Sequence, residues 1–175
     1  CRSALSVAGD GLGFEECISN ADKWLDSYLR YRGLSNISDA ILSHYGADRT
    51  FSTPILLMHA LSRNPEDTAG TWGKIPRLPF ELAALPHGLY KFLNLNVVSY
   101  ALPALIAMGY AKHVLDRSEN TAMNFLRESV SGMALAKLAA IQPSSGGFLE
   151  AVPLTGFVAM SLSAAGQADH PVVRK

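Results

Sequence analysis

The side chains able to do chemistry are scattered along this chain rather than clustered. Glu81 and Glu150 each fall just inside an expected helix start beside apolar residues, where a carboxylate can orient a water or an acid partner. Favourable interaction with the positive end of the helix dipole is the simpler account of that placement. The five histidines, His44, His59, His87, His113 and His170, form no HxxxH, HExxH or Cys/His set. No metal site is therefore expected, and each imidazole reads as a polar edge or a satisfied core group. Ser144 and Ser145 lack a GxSxG frame and read as turn residues. The Gly9 to Gly13 stretch follows no strand and lacks both GxGxxG and the P-loop lysine, so it reads as a loop and no nucleotide cofactor is expected. What remains is aromatic: Trp72, Tyr90, Phe92, Tyr100, Phe148 and Phe157. The negative face of such rings can stabilise a cation, and the same rings serve as ordinary helical core.

The element that must position these groups is marked most clearly between Gln142 and Phe148, which read Gln-Pro-Ser-Ser-Gly-Gly-Phe. Before it, Thr121 to Ile141 carries Met123, Phe125, Leu126, Val130, Met133, Leu135 and Leu138 at helical spacing. After it, Pro153 to Ala165 carries Leu154, Phe157, Val158, Met160 and Leu162. Glycine permits backbone angles that strain other residues, so the chain can leave one helix and enter the next within a few residues. The pattern predicts a helical hairpin of the repeat type.

Further helices are expected upstream. Glu15 to Tyr31 is amphipathic, with Ile18, Ala21, Trp24, Leu25, Tyr28 and Leu29 on one side and Gly33 as its stop. Asn36 caps a short helix through Tyr45, with Asp39 in its first turn and Gly46 after its end. Thr53-Pro54 reads as a cap and first-turn proline opening Ile55 to Leu61. Asn64 to Lys74 is polar and contains glycine, which predicts a loop. Pro76 and Pro79 confine regular helix to the residues after Pro79, and a break is expected at Pro86-His87-Gly88. Val97 to Val114 reads as a buried helix kinked or restarted by Pro103. Asp116 and Glu119 resemble a capping arrangement before Thr121, and Asp169 reads as the cap of a helix that Pro171 begins.

At 175 residues, 49% of them hydrophobic, the chain can bury one sizeable core. Fifteen basic and fifteen acidic residues cancel, leaving no electrostatic footprint for nucleic acid. Cys1 and Cys17 make neither a CxxC pair nor a disulfide framework, so a reducing, cytoplasmic setting is the default. The longest apolar stretch, Val97 to Tyr110, is shorter than the roughly 20 residues a spanning helix needs. A first residue that is not Met and an abrupt stop after Arg174-Lys175 lead us to expect a piece of a longer polypeptide. With no alternating strand pattern, the class is all-α. Several helices are apolar on most faces while two are amphipathic, which suits two concentric helix layers built from stacked hairpins.

In these residues the chain resembles the squalene–hopene cyclase and prenyltransferase/squalene-oxidase repeat family, whose members fold as α-α toroids. Gln142, Gly146 and Phe148 look like that family's QW motif, which ties neighbouring outer helices together; Phe148 stands where Trp is usual and lacks the indole donor. Pro79-Phe80-Glu81, Leu85-Pro86 and Ser99-Tyr100-Ala101 resemble a segment in the amino-terminal half of bacterial hopene cyclases, with Tyr100 in place of Trp and Leu102 in place of Arg. Gly146 to Gly166, continuing to Asp169-His170-Pro171, looks like a toroid helix followed by the start of another repeat.

The resemblance implies one domain over residues 1–175, part of an (α/α)6-barrel-like toroid, acting on a squalene-sized or other polyprenyl hydrocarbon. Tyr100, Trp72, Phe157 and Glu81 are the expected substrate-lining residues. Class II cyclases protonate an alkene or epoxide with a carboxylic acid from a DxDD-like motif. No DxDD occurs here, so the acid is expected from the remainder of the polypeptide. A homodimer covering the exposed edge and peripheral membrane contact are further expectations. The alternative is a non-catalytic toroid domain binding a lipid or a protein partner. A metal-dependent prenyltransferase on the same scaffold would need zinc ligands that are not visible.

Overall fold

The computed structural model describes residues 5, 13–62, 65–84 and 102–175. Among them there is no strand, and the described structure is all-α. The described residues belong to two compact units, Cys1–Pro76 and Arg77–Lys175.

The first unit begins with α1, Glu15–Arg32, which carries Glu15 and Glu16 in its first turn and Arg30 and Arg32 in its last, each complementing the helix dipole. Gly33 ends it in the left-handed conformation at φ 65°, its N–H bonding to the Arg30 carbonyl. No residue of α1 is buried; Trp24 and Tyr28 stack on one another 5.4 Å apart. Helix α2, Ile37–Tyr45, starts as expected at Asn36, whose side chain accepts from the Asp39 amide at 3.0 Å.

Two expectations fail in this unit. Helix α3 runs Arg49–Leu61 with Pro54 inside it, so Thr53 and Pro54 do not open the helix. The proline removes a single backbone bond, and burial of Leu56 and Leu57 at 0% exposure outweighs that loss at about 1.5–3 kcal/mol for each side chain. The segment read as a loop is helix α4, Pro65–Lys74. Proline fits a first helical position, and tertiary contact overrides the low propensity of Gly70 and Gly73. A buried hydrogen bond of 2.7 Å between the Ser38 and Thr71 hydroxyls ties α2 to α4.

The second unit opens with a strap, residues 77–84, whose last part is the 3-10 turn Phe80–Ala84; regular structure begins after Pro79, as the prolines require. Helix α5 is described over Leu102–Leu115, with Pro103 in its first described turn. Residues 97–101, and the break expected at Pro86, lie outside the described residues. Helix α6 spans Thr121–Ile141, and its cap is Asn120, which accepts from the Met123 amide. Asp116 is drawn away from the capping role by Lys112 and Arg77. Helix α7 covers Val152–Ala164. The short α8, Pro171–Arg174, is capped by His170 rather than Asp169, which pairs with Arg174.

Helix α5 packs most extensively on α7; α6 packs on the 3-10 turn and on α5, and α8 packs on α7 and α6. The core between them holds Phe80, Ile106, Ala107, Leu135, Leu138, Phe148, Val158, Leu162 and Val172. Gly109 lets the strap approach α5: a Cβ there would stand 2.9 Å from the Phe80 Cβ and 3.0 Å from the Leu78 carbonyl oxygen. An outward stripe of α6 (Ala122, Phe125, Leu126, Ser129, Gly132, Met133, Ala136 and Ala140) is exposed and uncharged, with exposed Glu128 at its edge. Helix α7 contains no charged residue at all. No described helix is long and apolar enough to cross a membrane.

Candidate functional site

The Gln142–Phe148 loop is tied by side-chain hydrogen bonds to the elements on either side of it. Gln142 ends α6, and its side-chain Nε2 uses both donors, giving one to the Gly146 carbonyl at 2.9 Å and one to the Val172 carbonyl at 3.0 Å. Gly146 sits at φ +85°, and a Cβ there would meet the Lys175 carbonyl oxygen at 2.8 Å, so only glycine fits this turn. Phe148 is 2% exposed and belongs to the core. Its amide donates to the Thr155 hydroxyl at 2.9 Å, and that hydroxyl donates to the Ala151 carbonyl at 3.1 Å. The loop is thus fastened to α6, to the first turns of α7 and to α8. Leu149 and Glu150 follow at φ 54° and 56°, a region that side chains seldom occupy. Glu150 is exposed and precedes α7 instead of lying inside it.

Glu81 is committed elsewhere. Arg127 donates to both of its carboxylate oxygens at 3.1 Å through Nε and Nη2, a bidentate pairing. The side chains are 6% exposed for Arg127 and 14% for Glu81, and the guanidinium lies 5.7 Å from the centroid of the Phe80 ring. The carboxylate serves to pin the 3-10 turn to α6. Arg127 was not among the sequence-derived candidates; its position seven and eleven residues before the buried Ala134 and Leu138 was the available signal.

A second polar group closes the carboxyl end of α5. Arg77 donates to the carbonyls of Asp116 at 2.8 Å and Arg117 at 3.0 Å, in the connection just past the helix end. Asp116 also pairs with Lys112. Burial lowers the Lys112 pKa, and the bond to Asp116 opposes that shift. His113 is 2% exposed, its ring 5.9 Å from Phe80. Burial first, then the charges of Arg127 and Arg117, hold its pKa below the usual imidazole value. Among the described residues its Nδ1 has no hydrogen-bond partner.

Trp72 is half-buried near the end of α4 in the first unit, and Phe157 is half-buried on α7 in the second. Tyr100 lies outside the described residues, as do Tyr90 and Phe92. The first unit contains a cavity of about 150 Å³ beside Asn36, Ser38, His59, Thr71 and Lys74, smaller than the roughly 300 Å³ at which small-molecule pockets begin. Its polar lining is bonded internally, Ser38 to Thr71 and Lys74 to Asp39 and Asn36. Among the described residues no group of three His, Cys, Asp or Glu side chains is placed to hold a metal ion. In comparison with known proteins, the chain matches no family model, no curated protein and no solved structure.

Proposed function

We propose that this chain forms part of the helical wall of a terpenoid cyclase-like protein that acts on a squalene-sized polyprenyl hydrocarbon, the initiating acid coming from sequence outside it. The observation that carries the reading is the Gln142 side chain. It joins the loop carbonyl of Gly146 to the Val172 carbonyl of α8, over a buried Phe148. That is the kind of tie between alternate helices which the Gln…Gly…aromatic resemblance implies.

Two further features support it. Alternate helices α5 and α7 pack side by side, as successive members of one layer of a toroid do. The uncharged surface of α7, with Val152 and Met160 exposed, suits contact with hydrocarbon. In this reading the chain supplies wall and packing, Glu81 holds the strap in place, and the substrate is gathered from lipid at a membrane surface.

Incubation of the full-length polypeptide with squalene, followed by gas chromatography of the lipid extract, tests the proposal. A cyclised triterpene is expected. Unchanged squalene under conditions in which a known cyclase turns over removes the catalytic reading. The second reading, a non-catalytic domain that binds a lipid or a protein partner, is favoured by Phe148, which fills the core where the resembling family has Trp and brings no indole donor.

A further inference from the structure

We infer that the strap over residues 77–84 is an acid-releasable element, detached from α5 and α6 when His113 takes up a proton. The inference is independent of what the protein acts on. His113 sits near the end of α5, 2% exposed, beneath the Phe80 ring at 5.9 Å. Its Nδ1 is buried and, among the described residues, meets no acceptor. A neutral imidazole tolerates that position. An imidazolium does not, because a second N–H and a charge would be buried without a partner.

The charges around the ring deepen the penalty. Arg127 faces it from α6, Arg117 from the α5–α6 connection and Arg77 from the strap, while Glu128 of α6 is the one anion acting on it appreciably. On α5 itself the adjacent Lys112 is occupied with Asp116. Glu81 on the strap is held bidentately by Arg127, and α7 brings no charge. A proton on His113 therefore adds a cation to a predominantly cationic surrounding.

Water must reach the ring for it to ionise, and the strap is the element that can yield. It is a short segment ending in a 3-10 turn, held by Phe80 and Ala83 in the core, by the Glu81–Arg127 pair and by the bonds of Arg77 to Asp116 and Arg117. Helices α5, α6 and α7 share the central core with Phe80 and Ala83 of the strap, but α5 also packs directly on α6 and on α7, so the helices keep their mutual contacts when those two side chains withdraw. Burial of neutral His113 thus couples strap closure to pH across the range in which a free imidazole titrates.

The test is amide hydrogen exchange on the intact chain from about pH 7.5 to about pH 5, with protection corrected for the chemical rate. Protection of the 78–84 amides is expected to fall by up to about 30-fold at pH 5, the limit set by titration of a free imidazole. Amides of residues 158–164 in α7 should hold theirs, and His113→Gln should flatten the response. Retained protection of the strap, loss in step with α7, or an unchanged response in the Gln variant overturns the inference. Should that variant fail to fold, the wild-type His113 ring is followed by NMR. Its titration must coincide with loss of strap protection, and a separate midpoint overturns the inference equally.

Discussion

Gln142 donates a hydrogen bond to the carbonyl of Val172, thirty residues further along the chain, from the same nitrogen that fastens the Gly146 turn. One amide therefore fixes both the exit of α6 and the approach of α8. Gln142→Ala leaves two carbonyls short of a donor, and the expected loss is about 1–3 kcal/mol. Urea unfolding followed by circular dichroism measures it. A loss below a few tenths of a kcal/mol would show that water replaces the amide without penalty.

The pair formed by Glu81 and Arg127 should behave as a coupled unit. Arg127→Met leaves a largely buried carboxylate without its partner and is expected to destabilise the second unit by about 3–5 kcal/mol. Adding Glu81→Leu should restore a substantial part of that loss, because the stranded charge is then gone. A double-mutant cycle in urea gives the coupling. Simple additivity of the two single losses would contradict the bidentate geometry.

Two glycines on neighbouring helices should respond in opposite directions to alanine. At Gly109 the new methyl meets the Phe80 Cβ at 2.9 Å and the Leu78 carbonyl at 3.0 Å, and neither can retreat by a rotamer change. Gly109→Ala is expected to cost about 1–3 kcal/mol despite its better helix propensity. At Gly132, in the middle of α6, no atom of another element lies within 4 Å of the place a methyl would take. Gly132→Ala should stabilise by about 0.5–1 kcal/mol. Thermal melts of both variants decide the matter.

How much of this was legible beforehand differs from element to element. The ends of α1, α2 and α6 followed from Gly33, from Asn36 and from the Gln142-Pro143 boundary, because caps and prolines act through bonds a few residues away. The same locality made the 3-10 turn after Pro79 readable. Helix α4 was missed because Gly70 and Gly73 lower propensity, and the contact between Ser38 and Thr71 that offsets them spans 33 residues. Arg127 was missed for a similar reason, since its partner Glu81 stands 46 residues away. His113 lies in a helix apolar on every side, where no face announces which residue will be enclosed.

Asp39 offers a pH prediction in the first unit. The hydrogen bond from Lys74 is the largest influence lowering its pKa, assisted by the Lys74 charge and Asn36 and opposed by burial. With the folded value below the unfolded 3.8, the unfolded state binds the proton first as pH falls. The stabilisation is therefore complete above that value and fades as pH drops through the folded one. Both side chains are substantially exposed, at 28% for Lys74 and 37% for Asp39, so the effect stays below about 1 kcal/mol. Lys74→Met should flatten the acid limb between about pH 4 and about pH 2, and added salt should mute it in the wild type. Identical acid limbs in the two proteins would dismiss the pair as a contributor.

The bare outer side of α6 also governs how the chain behaves in a test tube. Equal numbers of acidic and basic residues leave little colloidal repulsion near neutrality, and a stripe with Phe125, Leu126 and Met133 exposed offers an adhesive strip. Ion exchangers at that pH will hold the chain poorly, phenyl resins will retain it strongly, and concentrated stocks will self-associate. Ser129→Glu places a charge in the middle of the strip and should lengthen the shelf life of such a stock while leaving the core untouched.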